Sequence, residues 1–232
     1  MYTVDYLLKN SNLPGPRGNL ELLYKFAQTA DPVIVQKCLE YIKPDTGNSP
    51  EEFVGMCGIL GYAVLHKQDN RHVIEFLENY ASHKSWRIRE AVAMSIQEIS
   101  VGNLETTLRN IVSLIKGNAY QQRAVVAGLC EPKLLKDKSL NTQILKIMES
   151  ITLRLNHDNK LTDSEEALRK ALAYGWSVVI AATPREGKST FEKLFNLPGK
   201  HIQWLIKENL KKNRLIKMDA GWVKASIEKI NN

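Results

Sequence analysis

The chain has only three cysteines in 232 residues (Cys38, Cys57 and Cys130), each inside an apolar helical pattern and none at metal-ligand spacing. That scarcity excludes a disulfide-stapled scaffold and predicts buried, reduced thiols in a cytoplasmic protein. No uncharged apolar run reaches the roughly 18 residues of a membrane span, so no membrane partner is expected. The opening MYTVDYLLKNSN carries Asp5 and no basic region ahead of an apolar stretch, which is not a secretory pattern. Five histidines (His66, His72, His83, His157 and His201) lack the i, i+4 spacing of a metal pair, and no Ser or Cys stands in order with them for nucleophilic catalysis. Strand alternation is nearly absent.

Ala182-Thr-Pro-Arg-Glu-Gly187-Lys188-Ser189 approaches a P-loop spelling. A P-loop needs a strand before it and a parallel sheet around it, and nothing else in the chain supplies strands. Nucleotide binding is therefore not expected. Pro184 and Gly187 are read as a turn, with Ser189 capping the following helix.

What is present is helical periodicity. Apolar residues are 44% and charged residues 25%, an ordinary globular balance that excludes wholesale disorder. Helices are predicted over 21–30, 33–42, 53–66, 71–81, 86–100, 104–115, 120–130, 140–155, 164–181, 189–195, 201–210 and 221–230. Pro32 and Pro50 sit in first turns, and Thr162 with Glu165 is a capping-box candidate. Pairs of helices recur roughly every 35 to 40 residues, the sign of stacked helix pairs that cannot bury their apolar stripes alone. The expected architecture is all-α, a right-handed α-solenoid of antiparallel helix pairs forming one domain over 1–232. A non-repetitive helical bundle is the competing architecture.

Three of these helices carry a second strip beside the core stripe. Over 86–100 the core takes Ile88, Val92, Ile96 and Ile99, while Trp86, Arg89, Glu90, Ala93 and Gln97 share another face by steps of three and four. Over 120–130 the core takes Val125 and Leu129, leaving Tyr120, Arg123 and Ala127. Over 164–181 it takes Leu168, Leu172 and Val179, leaving Lys170, Tyr174 and Ser177. If these are second helices of successive repeats, their strips line one concave surface of rings and cations suited to phosphate and base.

Net charge is +7, and the surplus is concentrated: 200–232 holds eight Lys or Arg against three acids. Lys207 and Lys211 lie outward on an amphipathic helix, either as phosphate contacts or as a solvated face.

Helix pairs with an Arg placed like Arg89 and Arg123 resemble HEAT repeats. The segment Asn118-Ala-Tyr-Gln-Gln-Arg123-Ala124 resembles the matching helix of the DNA alkylation repeat family of glycosylases, where that Arg meets the DNA backbone. The preceding helix of that family has a Trp followed four residues later by a catalytic Asp; here Trp86 is followed by Glu90. The following helix reads Lys-Ala-aliphatic-small-Trp; here it is Lys170-Ala171-Leu172-Ala173-Tyr174. The chain departs at two positions, Glu90 for Asp and Tyr174 for Trp. The resemblance implies binding of double-stranded DNA and excision of N-alkylated purines with no metal or organic cofactor. In it Trp86 contacts lesion or sugar, Glu90 supplies the carboxylate, Arg123 clamps phosphate and Tyr174 is a second ring. Such folds also serve as non-catalytic scaffolds for a protein partner, and that occupation remains the alternative.

Overall fold

In the computed structural model, which describes residues 2–29 and 31–231, the fold is all-α: fifteen α-helices, one 3-10 turn and no strand among the described residues. No helix is long and apolar enough to cross a membrane. The chain divides into two compact units, Met1–Ile111 and Val112–Asn232.

The first unit contains α1 (Val4–Lys9), α2 (Leu20–Thr29), α3 (Pro32–Leu39), α4 (Pro50–Leu65), α5 (Asn70–Glu78), α6 (Trp86–Ser100) and α7 (Leu104–Asn110). Helix α3 starts where expected, with Asp31 accepting from the Val33 and Ile34 amides and Pro32 in its first turn. Helices α4 and α6 lie side by side with their N-termini together. There the buried Arg87 Nη1 donates to the buried Glu52 Oε2 at 2.9 Å, and its Nη2 donates to the Gly15 carbonyl at 2.7 Å. The Ser85 hydroxyl also donates to Glu52 while accepting from the Ile88 amide, so the α6 cap and the ion pair share one residue. On another side, Asn70 Nδ2 of α5 donates to the Thr107 hydroxyl of α7 at 2.9 Å, 37 residues on.

The second unit contains α8 (Val112–Lys116), α9 (Ala119–Leu129), α10 (Lys138–Leu153), α11 (Asp163–Ala182), α12 (Pro184–Glu192), α13 (Lys200–Leu210), α14 (Asn213–Met218) and α15 (Ala220–Asn231). Contacts fix the directions. Asn141 of α10 reaches Thr183, and Thr152 further along α10 accepts from the Trp176 indole N–H of α11, so α10 and α11 are antiparallel. Asn141–Thr183 and Glu149–Lys193 place α12 parallel to α10. Arg169–His201 and Ser177–Asn209 place α13 parallel to α11. Helix α9 meets α11 at Gly175, where a Cβ would come within 3.0 Å of Cys130 Sγ and Val126 Cγ1. The unit thus has two layers, α10 and α12 behind, α9, α11 and α13 in front. The Asn141–Thr183 bond spans 42 residues, close to the 37 of Asn70–Thr107, and in each unit an Asn amide in the first turn of one helix donates to a Thr hydroxyl on another element.

The capping box at Thr162 and Glu165 forms as expected, and a second one forms at Asn118 and Gln121. Two expectations are corrected, and two short helices fall outside the predicted elements. Helix α1 has no counterpart in the predicted elements; it is one short turn-and-a-half whose only buried residue is Leu7. The stretch 104–115 breaks at Ile111, which is fully buried while the Asn110 side chain is held by Asn70. Pro184 and Gly187 make no turn: α12 begins at Pro184, and Gly187 lies inside it because a Cβ there would stand 2.7 Å from the Ile180 Cα. Helix α14 likewise lies in a stretch outside the predicted elements. Ala30, where the first predicted helix ends, lies outside the described residues.

All three cysteines are free and buried. Burial pushes the Cys38 and Cys130 thiols up to about 12, and Cys57 well above its ordinary range. A raised thiol pKa withholds the reactive thiolate at neutral and mildly alkaline pH. Titration with a chromogenic disulfide at pH 8 is expected to find no reactive thiol in the folded protein and three after unfolding in guanidinium.

Candidate nucleic-acid interface

The predicted strips divide between the units, that of α6 in the first and those of α9 and α11 in the second. On α6 the core stripe is as read: Ile88, Val92 and Ile96 are fully buried and Ile99 nearly so. Trp86 is 54% exposed, and the Arg87 guanidinium lies 4.6 Å from its ring centroid. Glu90 is half-buried one turn along from Trp86. Arg89 is half-buried, and its Nη1 donates to the carbonyls of His83 (2.5 Å) and Lys84 (2.7 Å), closing the loop that precedes α6. Ala93 is fully buried, a correction to the predicted strip, because the packing of α6 covers more than one face.

In the second unit the strips do converge. Helix α11 turns Gly175 toward α9, Trp176 toward α10, and Arg169 and Ser177 toward α13. The remaining side, on which α14 also packs, carries Lys170 and Tyr174. With α9 directing Val126 and Cys130 at α11 and burying Val125 and Leu129, helical spacing leaves Tyr120, Arg123 and Ala127 on that same front side, all half-buried. On α13, Ile202, Ile206 and Leu210 are buried, His201 and Asn209 face α11, and Lys200, Trp204, Lys207 and Lys211 fall on the front. Ser177 belongs to no exposed strip. It is fully buried, its N–H donating to Asn209 Oδ1 at 2.9 Å and its hydroxyl to the Tyr174 carbonyl at 2.7 Å.

Tyr174 is 51% exposed, yet its ring is fixed: the Arg214 guanidinium stacks 4.6 Å from the centroid and Nη2 donates to the phenol oxygen. Arg214 has no carboxylate partner among the described residues, so its charge stands uncompensated beside the ring. The neighbouring cations are partly balanced. Glu166 holds both Arg169 (2.7 Å) and Lys170 (3.4 Å), and Glu208 holds Lys211 (2.6 Å). Burial would raise the Glu166 carboxyl, but Arg169 and Lys170 outweigh it and hold it below its ordinary value. Lys207 is exposed and forms no ion pair among the described residues. Arg214 and Trp204 were missed as site residues in sequence because their partners, Tyr174 and Arg169, lie on other helices.

No protein-family model, no curated protein and no solved structure matches the chain. Among the described residues no group of three His, Cys, Asp or Glu side chains could hold a metal ion.

The front surface depends on Asn209. This fully buried amide accepts from the Ser177 N–H and donates to the Leu172 and Leu205 carbonyls at 3.1 and 2.9 Å. Asn209→Leu strands buried backbone groups of α11 and costs about 1–3 kcal/mol for each one left without a partner. Urea unfolding is expected to show a lowered midpoint at unchanged slope, with Asn209→Asp no better a substitute because it lacks the donor.

Proposed function

We propose that the chain is a right-handed α-solenoid of HEAT-like helix pairs that binds double-stranded DNA through the front face of its second unit. The observation that carries this reading is the Tyr174–Arg214 pair, a half-exposed ring with an uncompensated guanidinium stacked on it. Around it Arg123, Lys170, Lys207 and Lys211 stand on three neighbouring helices, α9, α11 and α13. A row of cations on a rigid scaffold meets phosphates, and counterion release makes such binding strongly salt-dependent. The solenoid assignment is supported by the parallel α11 and α13, the antiparallel α10–α11 pair and the recurring Asn–Thr link.

Excision of N-alkylated purines, which the family resemblance implies for Glu90, is the narrower proposal. Its chemistry needs a carboxylate beside developing oxocarbenium character and an aromatic surface for a cationic base. Trp86 and Glu90 supply these residue types one turn apart, although Arg87 already places one cation on the Trp86 ring. Binding is accordingly the primary proposal.

Anisotropy with a short labelled duplex should show log K falling linearly with log salt. Lys207→Gln should make that slope shallower by about 0.9 and weaken binding to all sequences alike. A flat salt response overturns the DNA reading and leaves the protein scaffold. Separately, methylated duplex DNA should lose alkylpurine to the wild type and not to Glu90→Gln; no release by wild type ends the catalytic proposal and leaves binding untouched.

A further inference from the structure

The four tryptophans divide into two classes. Trp176 and Trp222 spend their indole N–H groups inside the protein, on Thr152 Oγ1 at 3.0 Å and Glu192 Oε1 at 2.7 Å. Trp86 and Trp204 donate to no protein atom among the described residues. A buried indole N–H ordinarily finds a partner, so an unspent donor belongs at a wet or ligand-binding surface.

Trp204 has the setting of a stacking platform. The Arg169 guanidinium lies 4.1 Å from its ring centroid and is itself fixed by Glu166 at 2.7 Å, so the indole rests on a rigid support. The ring is half-buried on the front of α13. Lys200 stands four residues before it, Lys207 three after and Lys211 seven after, a single row at helical spacing. Among the described residues Lys200 and Lys207 form no ion pair, whereas Lys211 is held by Glu208 at 2.6 Å. One aromatic ring set among cations along one line combines two contacts that an unpaired nucleotide requires: a π surface for the base and positive charge for its flanking phosphates. A paired base inside an intact duplex offers its edges but not its face, so the ring gains nothing from fully paired DNA.

We propose that Trp204 stacks on an unpaired base of DNA, with Lys200 and Lys207 at the flanking phosphates and the indole N–H donating to a base or phosphate oxygen. The proposal rests on the DNA-binding reading above and makes its front face selective for DNA with an extrahelical or single-stranded nucleotide.

The test compares a short intact duplex with the same duplex carrying one bulged 2-aminopurine, at one fixed salt concentration. Wild type is expected to bind the bulged duplex about 5- to 150-fold more tightly, the range that one base–aromatic stack supplies. The 2-aminopurine emission should be quenched on binding. Trp204→Ala should erase both the preference and the quench while still binding the intact duplex through the lysines. Trp204→Phe, which keeps a ring and loses the N–H, should retain the quench and part of the preference. Equal affinity for the two duplexes with unquenched emission overturns the Trp204 site and leaves the DNA reading standing. Binding to neither duplex overturns both. Should Trp204→Ala fail to fold, the wild-type quench and the behaviour of Trp204→Phe decide.

Discussion

The buried amide of Asn209 sets where α13 stands on α11, and every statement about the front surface depends on that register. Apolar packing alone would not do this. Contact between leucine and isoleucine faces is nearly non-directional, and a helix that slips or rotates on such a face loses little of its buried area. An amide bridging the Ser177 N–H and the Leu172 carbonyl tolerates one arrangement, because a slip by a turn leaves buried donors and acceptors without partners. Asn70 to Thr107 applies the same logic between α5 and α7, and Asn141 to Thr183 between α10 and the start of α12. Leucines and isoleucines supply the cohesion of each unit, while Asn70 in the first and Asn141 and Asn209 in the second supply register. One residue along a helix is a rotation of about 100°. Without the asparagines, Lys207 and Trp204 could not be held on the same side as Lys170 and Tyr174.

The core stripes were legible in the sequence because they obey a local rule. Ile88, Val92, Ile96 and Ile99 repeat at helical spacing, and all four are buried; the same holds for Val125 and Leu129, and for Leu168 and Leu172. The second strips were legible only in part. A helix with a single neighbour shows one buried and one wet face, but α6 and α11 are flanked on several sides, and Ala93 and Ser177 fall on flanks that neighbouring packing covers. The start of α12 was misread for a related reason. Pro-Arg-Glu-Gly has turn composition, yet Pro at N1 suits a helix start, and the tertiary approach to Ile180 demands the glycine.

The ring–cation pairs mark the limit of local reading. Tyr174 and Arg214 are 40 residues apart, and the Trp204–Arg169 pair also joins separate helices. Nothing in the pattern around either ring announces its guanidinium. What sequence did register was the charge surplus from Lys200 onward, and the structure converts part of it into geometry: Lys200 and Lys207 on the front of α13, and Arg214 on Tyr174.

Three aromatic rings half-open to solvent each carry a guanidinium, and the compensation of those charges separates them. Arg87 on Trp86 is neutralised by a buried Glu52, and Arg169 under Trp204 is neutralised by Glu166. Arg214 on Tyr174 answers to no carboxylate among the described residues. A cationic ligand stacking on any of these rings meets a cation already drawing on the same π system, and at Tyr174 it also meets a net positive charge. A neutral base with an anionic backbone meets no such opposition: the ring takes the base, and the spare positive charge takes the phosphate. Under the proposed DNA-binding reading, the second unit therefore suits ordinary nucleotides and their phosphates better than a positively charged lesion. Any excision of cationic bases would have to draw on the Glu52-compensated Trp86 and on Glu90 of the first unit.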